Sequence, residues 1–191
     1  MRNPHYLYLT LHLSGEGSRD KSFAEYLYKL YHIERLKVKF SDAKGGSPLK
    51  QIKDMRTVRG AKGFDKHVAM YDIDRGEDDV NAALAEAKND PDMPIQSLLA
   101  RNNIECEILR LANAPAKVLQ RAMVSADAAK HEFKKFFKLK DEDAVVEWEK
   151  HFSKEYLDEA RKTNSWLNAI INIIEENWVD DWAIGNQWGE E

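Results

Sequence analysis

The chain has 191 residues, 43% hydrophobic and 32% charged, which predicts a folded domain with its own core rather than a disordered chain. Its net charge of −4 argues against a basic protein that coats nucleic acid, but not against an enzyme whose metal supplies positive charge locally. The single cysteine, Cys106, excludes an intramolecular disulfide, and no apolar run is long enough to span a bilayer. Because the apolar run 6–13 is also too short and polar for a signal peptide, we expect a cytoplasmic protein that does not enter the membrane.

The first half of the chain alternates apolar runs with segments of helical periodicity. In chain order the pattern predicts a strand over 6–13, a helix over 20–32, a strand over 36–40, a helix over 48–58 that Gly60 and Gly63 end, a strand over 66–72, a helix around 80–87, a strand over 95–100 and a helix over 104–112. The first strand is expected to be central because it is rich in aromatic and aliphatic residues. This order predicts an α/β fold with a mainly parallel sheet and right-handed crossovers.

After Asn113 the pattern changes, and from Pro115 to Asn177 it shows no convincing strand and predicts helices. They are expected over roughly 116–137, 141–151 and 153–177. We therefore divide the chain into an α/β domain, 1–113, and a helical C-terminal extension, 114–191, that packs on the first part.

Carboxylates follow two of the predicted strands. Glu16 and Asp20 come after the first strand, and Asp72 and Asp74 end the strand over 66–72. The carboxyl edge of a parallel sheet is where open α/β folds bind ligands, and carboxylates that converge there favour a hard cation such as Mg²⁺ or Mn²⁺. Two plainer interpretations stay open: Asp20 caps the helix that follows, and the other acidic residues begin turns.

The pattern Glu16-Gly17-x-x-Asp20, followed by Asp72-x-Asp74 after a later strand, resembles a TOPRIM domain. The version in this chain is most similar to the RloB-like family and to the nuclease domains of the OLD family. A third motif of the RloB-like chains, Asn-Pro-x-x-Glu-Leu-Trp, matches here only at Asn103 and Glu107. A histidine often found six positions beyond that glutamate is Asn113 in this chain.

The resemblance implies a divalent-metal-dependent nuclease that cleaves phosphodiester bonds in DNA or RNA, in bacterial or phage defence. It implies that Glu16, Asp20, Asp72 and Asp74 hold Mg²⁺ or Mn²⁺, that Glu16 also serves as general base or acid, and that Glu107 assists. Since Glu105 and Glu107 lie about 200° apart on a helix, we expect one of them to be solvated, and we favour Glu107 as the one that reaches the site. The alternative, that both are surface residues, stays open. Partners of such a nuclease include nucleic acid, an ATPase or another protein, and further copies of the chain.

Basic residues and tryptophans suggest contacts beyond the acidic site. Lys44, Lys50 and Lys53 are candidates for binding substrate phosphate, although a solvated loop for Lys44 and a solvated helix face for the other two explain them somewhat better. Trp148 and Trp166 are expected in the core. Trp182 and Trp188 lie in a tail after the last predicted helix, which suggests contact with a partner.

Two other functions fit the same residues. The chain is alternatively a non-catalytic assembly or regulatory subunit that binds a protein through its Trp-rich helical half. A phosphoryl-accepting receiver domain, with Asp72 as the acceptor, is compatible with the strand-end position, but the Lys and Ser/Thr elements of that pattern are not apparent.

Overall fold

A computed structural model describes residues 9–44, 46–73, 76–89, 95–100, 103–140, 146–175 and 183–184, with the backbone alone over 59–62 and 183–184. Its elements in chain order are β1 Leu9–Gly15, α1 Ser18–Tyr31, β2 Leu36–Asp42, α2 Pro48–Lys62, β3 Lys66–Asp72, α3 Glu77–Lys88, β4 Ile95–Ala100, α4 Ile104–Leu111, α5 Ala116–Ala122, α6 Ala126–Phe136, a 3₁₀ helix Trp148–Lys150, α7 Lys154–Ala160, α8 Ser165–Ile174 and a two-residue β5, Ala183–Ile184.

The strands form one parallel sheet in the order β2-β1-β3-β4-β5. The predicted α/β fold with a parallel sheet and a helical C-terminal part is therefore confirmed, and β1 is central as expected. From β1 the chain moves to β2 on one side and then returns to β3 on the other. The carboxyl ends of β1 and β3 thus form the topological switch point, where sheets of this kind bind ligands.

Each face of the sheet is covered by its own helices. Leu11 and Leu13 of β1 point into a core shared with α1, α4 and α8. Ala69 and Tyr71 of β3 point to the opposite face, into a smaller core shared with α2 and α3. Helices on opposite faces follow from the reversal of direction at β1, because right-handed crossovers must then place α1 and α2 on different sides.

The C-terminal helices complete the larger core. Phe23 of α1 lies 5.0 Å from Trp148 and 6.0 Å from Trp166, measured between ring centroids. Both tryptophans are buried, which confirms their predicted place in the core. The helices that follow residue 113 therefore pack on α1 and share its apolar interior.

Several predicted helix boundaries are wrong. The helix expected over 116–137 is two helices, because the side chain of Ser125 accepts a hydrogen bond from the Ala128 amide and begins α6. The helix expected over 153–177 divides in the same way at Asn164, which caps α8. In the described part of 141–151 only the short 3₁₀ helix forms. Helix α2 runs past Gly60 and ends before Gly63, whose φ of +57° is the left-handed conformation that ends helices.

None of the described helices is both long and apolar enough to cross a membrane.

Candidate metal site at the carboxyl ends of β1 and β3

Glu16 and Asp72 meet where the two central strands end. The last aligned residues of β1 and β3 are Ser14 and Ala69, and the two carboxylates lie just beyond this register. The Oε2 atom of Glu16 lies 3.5 Å from the backbone nitrogen of Asp72, which donates a hydrogen bond to it. Glu16 is 8% exposed, so its carboxylate sits in the protein rather than in solvent. The structure thus brings together two of the predicted site residues.

Asp20 lies beneath the same loop, in the first turn of α1. Its Oδ2 atom accepts hydrogen bonds from the backbone amides of Glu16, at 2.6 Å, and of Gly17, at 2.9 Å. Asp20 therefore has the capping role that the sequence left open. Burial raises the pKa of Asp20 to about 7; the negative charges of Glu105 and Glu16 also raise it, against the two amide hydrogen bonds.

Gly15 allows this close approach of Asp20. A Cβ atom added to Gly15 would lie 2.4 Å from the Cβ of Asp20 and 3.1 Å from its Oδ2. Gly17, in contrast, has open space around the same position. Glycine at position 15 is therefore required by sterics, because a larger residue would displace the carboxylate that holds the loop.

The N-terminus of α4 faces Asp72. The side chain of Asn103 caps this helix by accepting a hydrogen bond from the Cys106 amide at 2.9 Å. The Ile104 amide donates to Oδ1 of Asp72 at 3.1 Å. A helix N-terminus attracts negatively charged groups, so this placement of a carboxyl group beside α4 is electrostatically favourable. The segment that carries the degenerate third motif thus lies beside the strand end that carries Asp72.

Glu105 and Glu107 are both buried, each 5% exposed, so the expectation that one of them is solvated is wrong. The reason is that α5 and α6 pack against α4 and cover the side that helical spacing alone would leave to solvent. Glu107 forms an ion pair with Arg110 at 2.7 Å. Glu105, which we did not favour, is the one whose charge acts on Asp20.

Arg19 was not among the predicted site residues. Its Nη1 atom lies 2.7 Å from Oε1 of Glu105, and its guanidinium lies over the ring of Phe133, 5.1 Å from the centroid. The side chains of Arg19 and Glu105 are 13% and 7% exposed, so this is a largely desolvated ion pair that ties α1 to α4. One feature of the sequence could have indicated this ion pair: Arg19 and Glu105 both lie in the first turns of helices that begin at the same edge of the sheet.

The donor chemistry of this edge suits a hard cation. Glu16, Asp20 and Asp72 supply carboxylate oxygens, the ligands that Mg²⁺ and Mn²⁺ prefer. As placed, the residues that the structure describes include no group of three or more His, Cys, Asp or Glu side chains close enough together to hold a metal ion. Asp74, the remaining predicted ligand, lies outside the described residues.

The predicted phosphate-binding lysines differ in their surroundings. Lys44 is exposed in the loop after β2. Lys50, in the first turn of α2, forms an ion pair with Asp54 at 2.6 Å. Lys53 is exposed on the same helix. The predicted partner contacts Trp182 and Trp188 lie outside the described residues.

A separate cleft with both polar and apolar lining lies between β1, β2 and α2. It has a volume of about 140 Å³, and its lining includes His12, Ser41 and Gln51 but none of the predicted acidic ligands. His12 is buried in its floor, where Nε2 lies 2.8 Å from Oγ of Ser41 and Nδ1 lies 3.3 Å from Nδ1 of His67. The sequence analysis assigned no role to this pair of histidines.

The fold and the site together define a doubly wound parallel α/β protein with an acidic cluster at its switch point. No family model, curated protein or solved structure shows a significant match to the chain.

Proposed function

We propose that the chain is a divalent-metal-dependent nuclease of the TOPRIM type that cleaves phosphodiester bonds in DNA or RNA. The observation that carries the proposal is the contact between the Glu16 carboxylate and the Asp72 strand end, at the switch point between β1 and β3. The resemblance of Glu16, Asp20, Asp72 and Asp74 to the TOPRIM pattern supports the same function, and with it a role in bacterial or phage defence in the cytoplasm.

Glu16, Asp72 and Asp74 are the proposed ligands of Mg²⁺ or Mn²⁺, with Asp20 as a further carboxylate. A bound cation would activate the oxygen nucleophile and stabilise negative charge on the phosphate and the leaving oxygen. Burial is the main cause of the raised pKa of Asp20, and the negative charges of Glu105 and Glu16 add to it; a bound cation would offset this charge repulsion.

The residues around the ligands have distinct tasks in this proposal. Asp20 fixes the loop of Glu16 through two amide hydrogen bonds, and the Ile104 amide orients Asp72. Glu16 is a ligand that also serves as general base or acid. Glu107 is the assisting carboxylate, and Lys44, Lys50 and Lys53 contact the substrate backbone.

The experiment is a cleavage assay on single- and double-stranded DNA and RNA with Mn²⁺ or Mg²⁺. We expect Glu16→Gln and Asp72→Asn to lower cleavage by more than about 100-fold. The reason is that replacing a residue that only orients a metal ligand already lowers metal affinity or activity by about 10- to 100-fold. The control is Asp42→Asn, which changes a carboxylate at the end of the neighbouring β2. Cleavage that survives both site substitutions would overturn the proposal.

The alternative function, a non-catalytic assembly or regulatory subunit, is favoured by one observation. The described carboxylates already have structural partners, since Asp20 accepts two loop amides and Asp72 accepts the Ile104 amide. This alternative predicts that replacement of Trp182 or Trp188 abolishes binding of a protein partner, while Asp72→Asn leaves that binding unchanged.

A further inference from the structure

The strands β1 and β3 part just before the candidate site. Their register ends at the pair Ser14 and Ala69. Beyond it, β1 continues only beside β2, to Gly15, and β3 continues only beside β4, to Asp72. The backbone carbonyls at this point lose the partners that a continued ladder would provide, although they remain buried.

Gln51 of α2 bridges the gap. Its Nε2 atom donates to the carbonyl oxygen of Ser14 at 2.8 Å and to that of Met70 at 3.1 Å. Each acceptor lies two residues before a proposed metal ligand, Glu16 on one strand and Asp72 on the other. A single amide group therefore joins both strands directly beneath the two carboxylates.

The glutamine is placed for these two bonds. It is 1% exposed, and its Oε1 atom is buried with no hydrogen-bond partner among the described residues. A buried hydrogen-bond acceptor without a partner is unfavourable, so the Oε1 atom does not hold the side chain in this position. The two hydrogen bonds that Nε2 donates do so. The amide orientation follows for the same reason, since the oxygen would be repelled by two carbonyls.

Helix α2 has other means of attachment. Ile52 and Met55 pack into the smaller core, and Arg56 forms an ion pair with Glu86 of α3 at 3.3 Å. Removal of the Gln51 amide therefore leaves the helix docked. What it removes is the link between the two strand ends.

We infer that Gln51 is a positioning residue that sets the separation of Glu16 and Asp72. Only the predicted effect of Gln51 on metal binding rests on the proposed function. The link itself is a property of the fold and is measurable without a metal.

The test compares Gln51→Met, which keeps length and loses both bonds, with Ile52→Val, which changes a neighbouring buried side chain and no hydrogen bond. Amide hydrogen exchange is followed by NMR at Asp72 and Ile104, whose N–H groups donate to the Glu16 and Asp72 carboxylates. We expect Gln51→Met to lower protection at these two amides by about tenfold more than at core amides such as Leu13. Ile52→Val should affect all of them alike.

Metal affinity supplies the second readout. We expect Gln51→Met to weaken Mn²⁺ binding by about 10- to 100-fold and Ile52→Val to leave it within about twofold. If wild type binds no Mn²⁺, the proposed function fails, and the exchange comparison still decides the role of Gln51. Equal loss of protection at Asp72, Ile104 and the core would overturn the inference.

A second variant covers the case in which Gln51→Met does not fold. Gln51→Glu has the same length and regains one donor when its carboxyl group is protonated. Because Asp20 makes wild type itself more stable as the pH falls, the comparison is between slopes, and we expect the protection of Asp72 to increase more steeply with falling pH in this variant than in wild type. Protection with the same pH dependence in both proteins would overturn the inference.

Discussion

The Oε2 atom of Glu16 lies 3.5 Å from the backbone nitrogen of Asp72, so the carboxylate that follows one central strand contacts the end of the other. The contact forms beyond the last aligned pair of β1 and β3, where the sheet opens. Asp20 fixes the loop of Glu16 from below, and α4 fixes Asp72 from the side. Backbone amides therefore help to hold the acidic cluster in place.

Gly15→Ala should destabilise the protein and Gly17→Ala should not. The new Cβ at position 15 would lie 2.4 Å from the Cβ of Asp20, whereas the one at position 17 meets open space. We expect a loss of about 1–3 kcal/mol in the free energy of unfolding for Gly15→Ala and a change within about 0.5 kcal/mol for Gly17→Ala, measured with urea. Equal effects of the two substitutions would contradict this placement of Asp20.

Asp20 should make the metal-free protein less stable as the pH rises. Its pKa is about 7 in the folded chain, against 3.8 for an unperturbed aspartate. Between these values the folded chain keeps a proton that the unfolded chain has released, so the contribution of Asp20 to the free energy of unfolding falls from pH 4 to pH 7, by on the order of 1–4 kcal/mol.

Asp20→Asn tests this dependence, because an asparagine oxygen still accepts both amide hydrogen bonds but cannot ionise. We expect urea unfolding between pH 4 and 7 to depend less on pH in this variant than in wild type or in Asp54→Asn, which changes an exposed carboxylate. An unchanged pH dependence in Asp20→Asn would refute the raised pKa.

Glu105→Gln should lower the pKa of Asp20. The negative charge of Glu105 raises this pKa, and the substitution removes the charge. It also removes the largely buried ion pair between Glu105 and Arg19, which we expect to cost about 3–5 kcal/mol. The carboxyl carbon of Asp20 reports the titration by NMR, and an unchanged or higher pKa would contradict the coupling.

The matched control for this ion pair is Glu159→Gln. Glu159 pairs with Lys162 at 2.6 Å, but both side chains are mostly exposed. We expect its loss to change stability by less than about 1 kcal/mol.

Trp166→Ala should destabilise the whole chain. Trp166 is 7% exposed and stacks on Phe23 of α1. We expect a loss of about 3–5 kcal/mol and a single unfolding transition, followed by circular dichroism and fluorescence, because the C-terminal helices share the α1 core. Val124→Ala, at a residue 78% exposed, is the control. A separate early transition of the C-terminal helices would contradict a shared core.

Four of the described strands were predictable because β1, β3 and β4 are compact apolar runs and β2 alternates apolar residues with lysines. The two-residue β5 was not predicted. The strands over 66–72 and 95–100 match β3 and β4, and the positions of the acidic residues after β1 and β3 followed from chain order. The breaks between helices at Ser125 and Asn164 were harder to predict from the sequence, because the helical spacing of apolar residues continues across both capping residues.

The remaining site features depend on contacts between distant parts of the chain. Glu105 and Glu107 are both buried because α5 and α6 cover α4, which the spacing within one helix does not reveal. Gln51 acquires its partners only because β1 and β3 diverge, a property of the assembled sheet.

The most direct test of the central claim is calorimetric titration of Mn²⁺ into wild type, Glu16→Gln, Asp72→Asn and the control Asp42→Asn, with folding checked by circular dichroism. The account predicts that wild type and Asp42→Asn bind, and that Glu16→Gln and Asp72→Asn bind at least about tenfold more weakly while folded. Absence of binding in wild type, or equal binding in all four proteins, would contradict a metal site at the ends of β1 and β3.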